Sequence, residues 1–173
     1  MTETSPEFPG GFRLLPATQE EIDYVEANYR TGERRECEIE KATRTLVTDF
    51  EQCWTVRADN GDIVGFFGVL VMPNESFMSR TRGFCFMSCE NANRHKIAFV
   101  KASRPAFKWM VGQCPEWADT FLTWPLESYT ASVRWQERVL KMRRVARVPA
   151  PVDGERYIVM ELTRQEVESW AWN

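Results

Sequence analysis

The spacing of apolar positions along this chain changes between two periods, one typical of strands and the other of helices. The longest apolar run, Ile63–Met72, is apolar at nearly every position and predicts a strand buried on both faces in the middle of a sheet. The run Cys53–Arg57 precedes it and predicts a partner strand. Between them lies Asp59–Asp62, whose Asn60-Gly61 pair predicts a tight hairpin turn with positive φ angles.

Further runs rich in β-branched and aromatic residues predict short strands. They are Phe12–Pro16, Gly83–Cys89, Thr120–Trp124, Val145–Val148 and Tyr157–Leu162. Together with the hairpin, these runs predict a sheet of six to seven strands.

Two helices are predicted between the first strand and the hairpin. Thr18 and Glu21 have the spacing of a capping box, in which each side chain binds the other residue's backbone amide. The apolar residues that follow predict a helix that ends at Gly32. Residues 33–50 place apolar side chains three and four positions apart and predict a second helix.

Two more helices are predicted in the second half of the chain. Asn93–Gly112 has helical spacing, but Pro105 lacks the amide hydrogen of a continuous helix, which predicts a break near Ala102. Ser128–Val139 predicts a helix with Val133 facing inward. The order of elements indicates an α/β (α+β) fold in which about four helices flank a mixed sheet.

Length and composition agree with one globular domain. The chain has 173 residues, of which 43% are hydrophobic and 27% charged, close to the average of globular proteins. We expect a flexible lead-in at 1–11, one domain at 12–162, and a tail at 163–173 that carries tryptophans. No apolar run reaches the ~20 residues of a membrane helix, and the acidic N-terminus does not resemble a secretory signal. We therefore expect a cytoplasmic protein with no membrane partner.

Charge is distributed unevenly, although the formal net charge is only −3. Residues 1–40 hold ten acidic and four basic residues, whereas 134–147 hold six basic residues and one acidic residue. The basic segment predicts either contact with a polyanion such as nucleic acid, or a solvated face paired with the acidic N-terminal half. Nucleic acid is the weaker prediction, because no aromatic platform or groove-reading motif accompanies the segment.

The cysteines and the single histidine do not match a metal site. The cysteines contain no C-x-x-C pair; they are Cys37, Cys53, Cys85, Cys89 and Cys114. His95 alone does not complete a zinc ligand set at the usual spacing. We therefore expect reduced thiols and no metal.

The predicted order of elements resembles the GNAT (Gcn5-related N-acetyltransferase) fold over roughly residues 12–162. The hairpin Cys53–Met72 is similar to the second and third strands of that family, where D-G-x-I-V-G is a frequent sequence pattern. Gly83–Glu90 is similar to the fourth strand, and Thr120–Leu140 to the fifth strand and the following helix. The resemblance implies a GNAT-like central mixed, mostly antiparallel sheet, with acetyl-CoA as the only cofactor.

Within that fold family, the chain resembles the GNAT-like internal virion protein A of short-tailed bacteriophages. Two stretches carry this resemblance, Gln52–Val56 and Tyr129–Trp135. The second is similar to the family's sequence pattern N-T-x-x-I-R-F. It implies a catalytically degenerate protein that acts through contacts with phage virion proteins or host proteins. Its implied location is the cytoplasm of the infected bacterial host, or the virion.

GNAT enzymes bind the acetyl-CoA pyrophosphate at the start of the helix after the fourth strand, through the pattern Q/R-x-x-G-x-G/A. The aligned stretch runs from Asn93 through Arg94, His95 and Lys96 to Ala98. Ala98 fits the last position, whereas Asn93 departs from the first. Lys96 replaces the glycine that lets the backbone approach the phosphates, and its charge either binds a phosphate or blocks that approach.

The resemblance also implies catalytic candidates. Family members often use a glutamate near the fourth strand as general base, a place that Glu90 has here, with Glu127 after the fifth strand as the second candidate. The tyrosine that often protonates the departing thiolate is replaced by Gln136, which has no titratable proton. Tyr129 is a nearby hydroxyl, and we interpret it as a half-buried packing residue.

Several residues are candidates for binding a partner protein. Trp117 lies in a loop, while Trp170 and Trp172 lie in the tail, and exposed aromatic side chains are typical of protein interfaces. The alternative for the tail residues is packing onto the chain's own sheet. Arg143 and Arg144 of the basic segment are further candidates.

Three functions stay open on the sequence. The first is a non-catalytic GNAT-like phage protein that acts through protein contacts in virion assembly or host takeover. The second is an acetyl-CoA-dependent N-acyltransferase, because Arg94 and Lys96 supply positive charge for phosphate binding. The third is nucleic-acid binding through 134–147.

Overall fold

The computed structural model describes residues 4–42, 50–71, 80–152 and 154–171, in which strands and helices follow the predicted order closely. The strands are β1 (Arg13–Pro16), β2 (Phe50–Arg57), β3 (Ile63–Leu70), β4 (Thr81–Ser88), β5 (Thr120–Thr123), β6 (Arg143–Pro149) and β7 (Arg156–Thr163). The helices are α1 (Gln19–Ala27), α2 (Thr31–Ala42), α3 (Lys96–Gln113), α4 (Thr130–Arg138) and α5 (Arg164–Glu168). A 3-10 turn (Glu90–Asn93) precedes α3.

The described strands form one sheet in the order β1-β2-β3-β4-β5-β7-β6. Neighbouring strands are antiparallel except β4 and β5, which are parallel. The prediction of a mixed, mostly antiparallel sheet of six to seven strands is therefore confirmed. The described helices number five rather than about four, because the tail forms α5. β3 lies between β2 and β4 and is buried on both faces, as its apolar run predicts.

Helices cover both faces of the sheet, because successive side chains of a strand point to opposite sides. Phe67 and Phe84 point to the face where α3, α4 and α5 build the main core. Phe66 and Met87 point to the opposite face, where they pack under α1 with Val25. Any gap between neighbouring strands of this sheet would therefore open toward the helices on both faces.

The hairpin turn between β2 and β3 differs from the primed turn that Asn60-Gly61 predicts. Gly61 has a φ of +85°, whereas Asn60 does not have a positive φ. The Gly61 amide donates to the Ala58 carbonyl at 3.0 Å, and the Ala58 amide donates to the Asp62 carbonyl at 3.0 Å. One glycine in the left-handed region therefore closes a turn with a bulge, and the register shifts at Arg57.

The first helix ends at Ala27, so the prediction that it ends at Gly32 is wrong. Residues 28–30, which we call the strap, leave the helix and pair with the end of β4. Within the strap, Tyr29 forms a bridge with Cys89. Long-range pairing with the sheet therefore ends the helix before the chain reaches its glycine.

Helix α3 continues through Pro105, so the predicted break near Ala102 is wrong. The proline leaves the Lys101 carbonyl without its helical donor, but Lys101 is exposed, where water can donate instead. On the opposite side of the helix, Ala106 and Phe107 are buried in the core. This packing outweighs the roughly 3 kcal/mol that an interior proline costs.

Both ends of the domain pack onto it in the described residues. Phe8, inside the predicted lead-in 1–11, is 3% exposed and belongs to the main core. The ring of Trp170, inside the predicted tail 163–173, lies against Phe107 at a centroid distance of 6.2 Å. The described parts of the lead-in and the tail therefore belong to the same core as the sheet.

Candidate functional site

β4 and β5 pair over three residues and then separate. Thr81–Gly83 lies beside Thr120–Leu122 in the parallel ladder. β4 continues to Ser88, whereas β5 ends at Thr123. The gap beyond the ladder is a cleft of about 1180 Å³ that reaches the helices on both faces of the sheet. This volume lies slightly above the range of about 300–1,000 Å³ for ordinary ligand pockets, so the cleft is large enough for a sizeable ligand.

The edge of β4 presents backbone groups to this cleft. The Cys89 amide donates to the Val64 carbonyl of β3 at 3.0 Å, and every second residue before Cys89 pairs with β3 in the same way. The residues between them, Phe84 and Phe86, turn their amide and carbonyl groups to the other side. Phe86 lies beyond the ladder with β5, so it presents a donor and an acceptor to an extended ligand.

The strap covers the last part of this edge. The Arg30 amide donates to the Ser88 carbonyl at 3.4 Å, and the Glu90 amide donates to the Asn28 carbonyl at 3.0 Å. The strap residues Tyr29 and Arg30 form the wall of the cleft at this end. The open stretch of β4 therefore ends before Ser88.

A buried glutamate from α2 lies at the same end of the cleft. Glu33 is 4% exposed and lines the cleft together with Tyr129. One carboxylate oxygen of Glu33 accepts the Ser88 hydroxyl, and the other accepts the Tyr129 hydroxyl at 2.9 Å. We call Glu33, Ser88 and Tyr129 the polar triad. Its members come from α2, β4 and the start of α4, so tertiary folding brings them together.

Tyr129 is a neutral hydroxyl donor in the polar triad. Burial, and then the charge of Glu33, raises the pKa of its phenol well above the usual range, while the charge of Arg30 opposes the rise. The ring also packs on Gly32, where an added Cβ would lie 2.3 Å from a ring carbon. Tyr129 therefore combines the packing role inferred from the sequence with a hydrogen bond to a buried carboxylate.

Two more charged residues of this region line the cleft. Glu36 is 7% exposed, and its carboxylate accepts the Leu126 amide at 2.8 Å. Arg30 is half-buried, and its guanidinium donates to the Ser88 hydroxyl at 3.4 Å. The charge pattern alone groups Glu33 and Glu36 with the solvated acidic segment. Glu33 and Glu36 are three residues apart, which places both on one face of a helix. This spacing is the local signal from which a pair of cleft carboxylates could have been predicted.

The two carboxylates predicted as general bases do not line the cleft. Glu90 begins the 3-10 turn, and its side chain is exposed. The Glu127 carboxylate forms an ion pair with Arg147 of β6, which holds it at the surface. Glu33, from a different element, is the buried carboxylate of the cleft.

The stretch predicted to bind pyrophosphate runs from the end of the 3-10 turn into the first turn of α3. Asn93, Arg94 and Lys96 are exposed, and no side chain caps the helix at its N-cap residue, His95. The His95 ring instead contacts the Asp62 carboxylate at 3.2 Å, and this hydrogen bond lowers the pKa of Asp62. The uncapped helix start and the exposed cations suit an anion.

Ala98, the last residue of that stretch, packs against the loop before β1. A Cβ on Gly10 would lie 2.7 Å from the Ala98 Cβ, and Gly10 has a φ of +87°. Both facts require glycine at this position. The loop covers one side of the first turn of α3, and Arg94 and Lys96 stay exposed.

The tryptophans predicted to bind a partner differ in exposure. Trp117 is 47% exposed, and the Arg82 guanidinium lies over its ring at 4.3 Å. Trp170 is half-buried against the main core, which agrees with the alternative that the tail packs onto its own domain. Trp172 lies outside the described residues.

The described residues contain no group of three or more His, Cys, Asp or Glu side chains that could hold a metal ion. Free thiols are present at Cys53, Cys85, Cys89 and Cys114. Burial raises the pKa of Cys53 and of Cys114 to about 12, so both thiols are neutral. In the same parts of the chain, no helix is both long and apolar enough to cross a membrane.

Solved structures of acetyltransferases share this fold. A GCN5-related N-acetyltransferase from Kribbella flavida matches with a TM-score of 0.60 and 16% identity, over 90% of this chain and 99% of that chain. AAC(6')-Ib in complex with ribostamycin and coenzyme A matches with a TM-score of 0.64 and 16% identity, over 94% and 99%. Spermidine N-acetyltransferase from Vibrio cholerae in complex with CoA and spermine has a TM-score of 0.57 and 9% identity, over 91% and 98%. No protein-family model and no curated protein matches the chain, and at these identities the similarity shows the fold alone.

Proposed function

We propose that this chain, which has the GNAT fold that the sequence predicts, is an acyl-CoA-dependent N-acyltransferase with acetyl-CoA as its donor. The observation that carries the proposal is the cleft between β4 and β5, with the buried polar triad at its end. Solved neighbours that hold CoA or acetyl-CoA support it.

The described residues fit an acyl-CoA molecule at two places. Phe86 offers a backbone amide and carbonyl to an extended, amide-containing arm, which would bind as an added strand. The first turn of α3 offers uncapped amides and the exposed cations Arg94 and Lys96 to the phosphates. Lys96 stands where the family has a glycine, so we infer that its charge replaces the close backbone approach.

Acyl-CoA, when bound, supplies a thioester whose acyl carbon is attacked by an amine. An alkyl amine is protonated at neutral pH and must lose a proton before it can attack. Glu33 is the buried carboxylate that accepts this proton, because its oxygens keep lone pairs beside the hydrogen bonds from Ser88 and Tyr129. The Tyr129 hydroxyl gives the polar triad a second exchangeable proton.

The other functions predicted from the sequence have less support. The solved neighbours are acetyltransferases, and nothing in them links the chain to a phage internal virion protein or to a virion. Three arginines of the basic segment form ion pairs with glutamates, namely Arg143 with Glu161, Arg144 with Glu137 and Arg147 with Glu127. These glutamates lie in the C-terminal half, not in the acidic N-terminal half that the charge pattern predicts. Nucleic-acid and protein partners stay predictions from the sequence.

Calorimetric titration with acetyl-CoA tests the donor site. We expect micromolar binding by the wild-type protein and at least about tenfold weaker binding by Lys96→Glu, because a reversed charge at the helix start repels the phosphates. Lys101→Glu, also exposed on α3, is the matched control and should bind like the wild type. The absence of wild-type binding at millimolar acetyl-CoA would contradict the proposal.

A further inference from the structure

Arg30 forms no direct ion pair with a carboxylate of the described residues, and it is linked to Glu33 only through the Ser88 hydroxyl. Its side chain is half-buried and lines the cleft. In the described parts of the chain, its guanidinium makes one hydrogen bond, the 3.4 Å contact with the Ser88 hydroxyl. A guanidinium has five N–H donors, and their planar arrangement matches the two oxygens of a carboxylate. Because the half-buried Arg30 guanidinium uses few of these donors within the described residues, it favours an anionic ligand.

The place for this anion lies directly beside the proposed base. Arg30 donates to the hydroxyl oxygen of Ser88, and Glu33 accepts the proton of the same hydroxyl. The cationic and anionic groups therefore lie around a single oxygen atom. An α-amino acid has its amine nitrogen and carboxylate carbon only about 2.5 Å apart, so it can contact both groups at once.

The wall of the cleft under α1 is apolar. Its side chains come from α1, the strap and three strands; they are Ile22, Tyr29, Cys53, Phe66 and Met87. Burial raises the pKa of Cys53 to about 12, so this thiol is a neutral, apolar contact. An acceptor with an apolar body would bury that body against this wall.

We propose that the acceptor is an α-amino acid with an apolar side chain, such as phenylalanine. Its carboxylate binds Arg30, its amine faces Glu33, and its side chain packs under α1. The inference rests on the proposed function, since the amine is the group that receives the acetyl group.

The transfer balances in atoms and charge. The ammonium gives one proton to Glu33, and the free amine then forms the new carbon–nitrogen bond. As the carbon–sulfur bond breaks, the nitrogen loses a second proton, and the departing sulfur gains one, so that CoA leaves as a thiol. Glu33 afterwards releases its proton to water.

Release of free thiol from acetyl-CoA tests the acceptor with a matched pair, phenylalanine and phenethylamine, which differ by the carboxylate. We expect phenylalanine to have at least about tenfold higher kcat/KM, because the charged hydrogen bonds to Arg30 need the carboxylate. Arg30→Gln should abolish this preference, and Arg30→Lys should keep part of it. Arg34→Gln, four positions later in α2 and exposed, should keep all of it.

The outcomes separate this inference from the proposed function. Equal use of phenylalanine and phenethylamine, or acetylation of spermidine alone, overturns the amino-acid acceptor and leaves an N-acyltransferase. An unchanged preference in Arg30→Gln overturns the role of Arg30. Acetyl-CoA binding without acetylation of any amine overturns both the acceptor and the catalytic function. Melting curves show whether Arg30→Gln is folded, and Arg30→Lys supplies the second variant.

Discussion

Among single residues, Glu33 matters most to the candidate site, because its carboxylate is buried in the cleft. A carboxylate that is 4% exposed is costly to bury unless its oxygens are bonded, and Ser88 and Tyr129 meet that need. The same burial and charge keep the Tyr129 phenol protonated. A buried carboxylate that lines a cleft, with its oxygens held by two hydroxyls, favours a chemical role over a purely structural one.

Glu33→Gln should lower kcat/KM for acetyl transfer by at least about 100-fold, because an amide cannot accept the proton of the amine. The amide oxygen can still accept one hydroxyl, so the affinity for acetyl-CoA and the melting temperature should stay close to those of the wild type. Glu38→Gln, exposed on the same helix, is the control. Wild-type kinetics in Glu33→Gln would remove Glu33 from the mechanism.

At the scale of elements, the approach of α2 to α4 builds the polar triad. Gly32 lies in the first turn of α2 and packs against the ring of Tyr129, where an added Cβ would be 2.3 Å from the nearest ring carbon. The missing side chain therefore lets α2 come close enough for Glu33 to reach the Tyr129 hydroxyl at 2.9 Å.

Replacing glycine by alanine at two helical positions tests this contact. Helix propensity alone predicts that each change stabilises the protein by about 0.5–1 kcal/mol. We expect Gly112→Ala to do so, since no atom lies within 4 Å of its added Cβ. Gly32→Ala should instead destabilise the protein by about 1–3 kcal/mol, because the methyl group overlaps the ring. Denaturant unfolding measures both, and a stabilised Gly32→Ala would mean that the close approach is not required.

At the scale of the whole molecule, one core joins the described parts of both termini to the sheet. Phe8 packs edge-on against Trp109 of α3 at a centroid distance of 6.5 Å. Trp170 lies on Phe107 of the same helix. The layer that supports β4 on the α3 face therefore depends on residues that the sequence assigns to a lead-in and a tail.

Phe8→Ala should destabilise the protein by about 3–5 kcal/mol, as expected for removing a buried aromatic ring. Ile97→Ala is the control: its side chain is 77% exposed, so the change should stay within about 0.5 kcal/mol. The midpoint of thermal or denaturant unfolding reports both. If 1–11 is a flexible lead-in, as the sequence predicts, Phe8→Ala should lower the stability as little as Ile97→Ala does.

Most helices and strands follow from local patterns in the sequence, because their signals act between neighbours in the chain. Thr18 and Glu21 form the predicted capping box, in which each side chain binds the other residue's backbone amide. The apolar run of β3 is buried at the centre of the sheet. The hairpin also joins the two predicted strands, although its turn differs, and α3 begins at Lys96, three residues after the predicted start. In each case a repeat of a few residues decides which groups meet.

The candidate site, in contrast, forms only when distant parts of the chain pack together. The hydrogen bonds of Glu33 join residues that are 55 and 96 positions apart in the chain, beyond the reach of any spacing rule. Glu90 and Glu127 are near the ends of β4 and β5 in sequence, yet the fold leaves the first exposed and pairs the second with Arg147. Burial and electrostatic pairing exist only after distant elements pack together, and these two properties distinguish a buried base from a surface carboxylate.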